Sequence, residues 1–81
     1  MINKSLSFGI QNYFYIASDE TDLVYNYVAY MDKKGAILIG RYKKDDTEAL
    51  YYSTRGTFAV IWAARATYTY VLPSVLVQPE Y

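Results

Sequence analysis

Eleven tyrosines, with three phenylalanines and one tryptophan, must be housed in a chain of 81 residues. A domain that short buries only about 60% of its extended-chain surface, so its interior is too small for that many large rings. Some must lie at the surface or in an interface. Small folds commonly add disulfides, a metal or a partner subunit to a marginal core. This chain has no cysteine and no histidine, which removes disulfides and the commonest metal ligand. Burial against a partner is the supplement left. Tyrosine suits a half-wet site, since its ring is apolar and its hydroxyl meets water. Tyr, Trp and Arg also dominate binding hot spots. Tyrosine favours strands as well, so a plain sheet with one wet face accounts for the same composition.

The pattern along the chain is that of an antiparallel β meander. Leu6, Phe8 and Ile10 alternate with Ser5, Ser7 and Gly9, which reads as a short strand or an extended arm. The aromatic and β-branched run of residues 12–17 ends at the polar stretch Ser18-Asp19-Glu20-Thr21-Asp22. Residues 23–31 and 36–43 form a predicted hairpin about Asp32-Lys33-Lys34-Gly35, with Gly35 free to take positive φ. A second polar turn, Lys44-Asp45-Asp46-Thr47, leads to a further strand over residues 48–53. Apolar residues occupy both parities of the strand at 23–31, so both faces of the sheet require cover from a second layer or a neighbour.

Residues 57–67 carry Ala59, Ala63, Ala64 and Ala66, which favour helix. Phe58, Ile61 and Trp62 share one face of it, at spacings of three and four, and are the expected core contributors, with the two rings at the centre. Residues 68–72 read as a last strand that Pro73 ends. The expected fold is mainly β: a small antiparallel meander, sandwich or barrel-like, with one short helix near residues 57–66. It forms a single domain over residues 1–81, with 1–11 and 73–81 as extended arms.

Catalytic signatures are few. With neither His nor Cys, no nucleophile–base pair is visible. The acidic clusters Asp19-Glu20-Thr21-Asp22 and Asp45-Asp46-Thr47-Glu48 offer oxygen ligands but lack the spacing of a calcium loop, and solvated turns account for them. No cofactor is implied. Arg41, Lys43 and Lys44, joined by Lys33 and Lys34 across the hairpin, read as one basic end with Tyr42 among them. That resembles a single-strand stacking site, but the carboxylates that follow would repel phosphate. With eight basic and eight acidic residues, nucleic acid is not the expected partner. A dipolar molecule, whose basic end meets a neighbour's acidic end, fits better. No apolar stretch is long enough to span a bilayer, and residues 1–5 do not read as a signal peptide. Exposed tyrosines also stack on sugars, so a carbohydrate-binding β-module is the rival reading.

Two segments carry a family likeness. One is the Tyr-rich strand, charged turn and returning strand of residues 25–43, which closes on Gly40-Arg41-Tyr42. The other is residues 61–70, where Trp62, Arg65 and a small-residue run precede the alternating Tyr68-Thr69-Tyr70. Together they cover roughly half the chain, and they resemble short proteins encoded among the virion genes of tailed bacteriophages. The resemblance implies a non-enzymatic structural part of a virion: a capsid decoration, a head–tail junction or a tail component. Its partners would be further copies of itself or other virion proteins. The expected interface residues are Leu6, Phe8 and Ile10 at one end, Val75, Leu76 and Val77 at the other, and Tyr42. Association by such apolar segments is expected to be insensitive to salt.

Overall fold

The computed structural model describes residues 13–76. Four strands follow one another: β1 (Phe14–Asp19), β2 (Tyr25–Met31), β3 (Ala36–Lys43) and β4 (Ala49–Arg55). Each pairs antiparallel with its sequence neighbour, in the order β1-β2-β3-β4. The helix α1 (Phe58–Ala63) and two single 3-10 turns, Arg65–Thr67 and Pro73–Val75, complete the described chain. The fold is mainly β, as the sequence pattern predicts. The sheet is open, with β1 and β4 at its edges, and does not close into a barrel.

The turns follow from local chemistry. Between β2 and β3, the buried Asp32 accepts hydrogen bonds at Oδ1 from the backbone N–H groups of Lys34 (2.9 Å) and Ala36 (2.8 Å). Gly35 takes φ +88° there, a conformation that suits a residue without Cβ. Asp46 takes φ +63° in the next turn, where Asp is one of the tolerated residues. β1 carries an irregularity between Tyr15 and Ala17, with Ile16 as the extra residue of a bulge.

Both faces of the sheet are apolar, and each builds its own core. One cluster holds Tyr27, Ile37, Ile39, Ile61 and Tyr70, with α1 and the segment after it lying over the sheet. The other holds Val28, Leu38, Tyr42 and Tyr51, with Tyr13 and Leu76 packed against it. Tyr42 is therefore a core residue, only 1% exposed, and not the surface anchor expected of it. Its parity on β3 places it beside Leu38 on the face opposite α1. Its ring folds back over Gly40, where a Cβ would lie 2.5 Å from the Tyr42 Oη. Burial pushes the Tyr42 phenol far above the ordinary tyrosine range, and the neighbouring Tyr51 and Tyr30 hydroxyls add to the shift.

Two further expectations change. Ile61, not a ring, is the buried residue of α1, while Phe58 and Trp62 are half-buried on either side of it. At about 100° per residue, a helix this short centres one side chain inward, and its ring neighbours lie on the shoulders, stacked at 5.9 Å. The segment 68–72 is not a strand. Only Val71 pairs, bridging Tyr51 through hydrogen bonds of 2.8 and 2.9 Å. The hydroxyls of Tyr68 and Tyr70 instead donate to the carbonyls of Ile61 and Arg65. The segment is thus tied to the helical layer by its hydroxyls and meets β4 only through the single Val71–Tyr51 bridge and the Tyr52 ring.

Candidate functional site

Over the helix-covered face, tyrosines and arginines alternate. Tyr52 stacks on Tyr68 at 4.1 Å with nearly parallel rings, and Tyr70 meets Tyr27 at 6.1 Å and Tyr52 at 6.1 Å. The Arg41 guanidinium lies 4.3 Å from the Tyr25 ring centre and 4.8 Å from that of Tyr70. Such cation–π contacts strengthen as water is excluded. Glu48 approaches Arg41 only to 4.0 Å. Arg65 lies over Trp62 at 4.5 Å, donates to the Trp62 carbonyl (2.8 Å) and bonds Asp19 Oδ2 at 2.5 Å. The Asp19 carboxyl is held down to about 2, first by hydrogen bonds from the Thr21 side chain and backbone and then by Arg65. Burial pushes Tyr70 above the ordinary tyrosine range. Tyr27 and Tyr70 are buried, while Tyr25, Tyr52, Trp62 and Tyr68 are half-buried around them, and the cluster fastens the helical layer to the sheet.

Accessible chemistry sits at the two ends of the sheet. At one end, the β1–β2 loop and the β3–β4 turn lie together, since Lys44 N donates to the Val24 carbonyl and Lys44 Nζ to that of Glu20. Two Asp-x-Thr turns repeat one pattern. Thr21 donates through N–H and hydroxyl to Asp19 Oδ1, as Thr47 does to Asp45 Oδ1. Asp22 Oδ2 accepts from the N–H groups of Val24 and Tyr25. These bonds hold the carboxyls of Asp22 and Asp45 below the usual range. Among the described residues, no group of three or more Asp or Glu side chains is placed to hold a metal ion. The loop they order presents Leu23, 94% exposed, beside the exposed Val24.

The opposite end carries Lys33, Lys34 and Arg55, all exposed, with Phe14 51% exposed at the start of β1, opposite Met31. The expected single basic end is therefore split. Lys33 and Lys34 precede β3 while Lys43 and Lys44 follow its first residue by seven and eight positions, about 25 Å of extended strand. Arg41 lies inward between two tyrosines.

The expected interface set also disperses. Val75 is exposed, whereas Leu76 packs on the Val28, Leu38, Tyr42 and Tyr51 cluster. Leu6, Phe8, Ile10 and Val77 lie outside the described residues. Sequence reasoning passed over Leu23 and Val24 as strand residues, although Asp22 at the head of the run is a turn-former signal. Arg65 and Asp19 are 46 residues apart, and no local pattern joins them. Among the described residues, no helix is long and apolar enough to cross a membrane. Comparison with protein-family models, curated proteins and solved structures finds no significant match.

Proposed function

We propose that this chain is a non-enzymatic assembly protein, a small structural component of a phage virion that acts through protein–protein contacts. One observation carries the reading. Phe14, Tyr15, Leu23 and Val24 are large, apolar and exposed, and all lie on β1 or the loop leaving it. β1 has no partner on its outer side among the described residues. Scattered exposed apolar residues are ordinary, but a set gathered along one sheet edge marks a contact surface. The virion setting rests on the likeness of residues 25–43 and 61–70 to short phage virion proteins.

Light scattering on the full chain tests the reading, alone and mixed with particles from its source. The expected result is a mass above one chain, or uptake into the particles, and a loss of both on Leu23→Ser. A strict monomer that is ignored by the particles and binds an oligosaccharide panel would establish the carbohydrate-binding reading in its place.

A further inference from the structure

We infer that two copies of this chain join edge to edge, β1 of one pairing antiparallel with β1 of the other about a two-fold axis. The inference rests on the assembly reading above and names both the partner, a second copy, and the contact, a shared ladder. Phe14 and Tyr15 are consecutive on β1, so they point to opposite faces of the sheet. Phe14 lies opposite Met31, which packs on the helix-covered cluster, and Tyr15 lies opposite Tyr30, which packs on the other cluster. Yet both rings are exposed, at 51% and 60%. Exposure therefore follows the edge and not a face. A partner stacked on either face would cover one ring and leave the other wet. A strand added in the plane of the sheet covers both, and its backbone pairs with the outward N–H and C=O groups of β1.

Of the two edges, β1 is the one suited to this. At the other, Val71 already takes the N–H and C=O of Tyr51, and the Tyr68 ring lies on Tyr52. Edge strands are commonly guarded by proline or by charge. β1 has no proline, and its one charged side chain, Asp19, is paired with Arg65. The irregularity between Tyr15 and Ala17 interrupts the ladder once, which limits the contact to short runs and keeps it reversible. Charge sets the direction. Glu20 lies just beyond the end of β1, and Lys33 lies in the turn after Met31, so the two exposed residues sit at opposite ends of the β1–β2 pair. Antiparallel pairing brings Glu20 of each copy toward the end that carries Lys33 of the other. Parallel pairing would set like charge beside like. The two-fold contact is closed, so it covers both β1 edges and stops at the dimer.

Sedimentation velocity of the full chain over a concentration series, with amide hydrogen exchange on the same samples, tests this. Wild type is expected to shift from monomer to dimer as concentration rises. Exchange in β1 is expected to slow in step, while exchange in β4 does not change. Tyr15→Lys and Ser18→Lys each place a charge at an exposed position of the edge. Each is expected to stay monomeric, with the melting temperature close to that of wild type. Association that survives both substitutions, with β1 exchange indifferent to concentration, would overturn the pairing while leaving the assembly reading standing. A wild-type chain that stays monomeric at every concentration would overturn the pairing. It would also confine the assembly reading to partners other than itself.

Discussion

Gly40 and Tyr42 form the most constrained contact in the fold. A Cβ at position 40 would lie 2.5, 2.7 and 2.9 Å from Oη, Cζ and Cε2 of Tyr42. A tyrosine tip normally swings aside at small cost, but this one is sealed between Leu38, Val28 and Tyr51. Gly40→Ala is therefore expected to destabilise by about 1–3 kcal/mol, the range for overpacking a filled core, as read by urea denaturation. A neutral result would show that the ring has room to move. The helix offers the converse comparison. Ile61→Ala removes its buried side chain and is expected to cost about 2–5 kcal/mol. Trp62→Ala leaves a half-exposed site and should cost less. If Trp62→Ala proves the more damaging of the two, the ring carries the core and Ile61 is peripheral. At this scale the sequence was partly legible. The face shared by Phe58, Ile61 and Trp62 is there, but the turn that points straight inward depends on where the helix begins. Tyr42 misled because Arg41 and Lys43 flank it, and strand parity sends neighbours to opposite faces.

At the scale of elements, β3 is bounded as the sequence predicts, since a glycine turn and a polar turn punctuate both of its ends. The segment after α1 was not legible. Tyr68 to Leu72 has strand composition, yet its hydroxyls find carbonyls of the helical layer, a preference that propensity does not encode. The same blindness hid the tie between β1 and that layer, the Asp19–Arg65 pair. The hydrogen bonds that Asp19 accepts from Thr21, and then the tie to Arg65, give the fold an acid limit. The folded-state value of about 2 for Asp19 lies below its ordinary 3.8, so its contribution is complete above about pH 4. That contribution is lost as pH falls from there through 2. Asp22 and Asp45 are shifted in the same direction. Melting temperature is expected to hold above pH 5 and to drop between pH 4 and 2, with Asp19→Asn less stable at pH 6 and flatter across the acid range. A wild-type profile that stays level down to pH 2 would contradict the hydrogen bonds assigned to Asp19 from Thr21 and Arg65.

For the molecule as a whole, every strand lies beside its neighbours in sequence, and the sheet is built from hairpins with short closures. The helical layer is joined to it through contacts of longer reach: Val71 on Tyr51, and Arg65 on Asp19 across 46 residues. Loop-closure entropy rises with the span to be closed, and chains rich in local contacts cross their folding barrier sooner. The two classes of contact should therefore separate in time. The hairpins belong to the barrier crossing, and the Arg65 tie belongs to the descent after it. Arg65→Ala is then expected to multiply the unfolding rate while leaving the refolding rate close to wild type, in stopped-flow measurements over a denaturant series. A variant that refolds slowly and unfolds normally would place the tie in the nucleus. The sequential order of strands thus makes the lifetime of the native state, more than the speed of reaching it, the property that one distant ion pair controls.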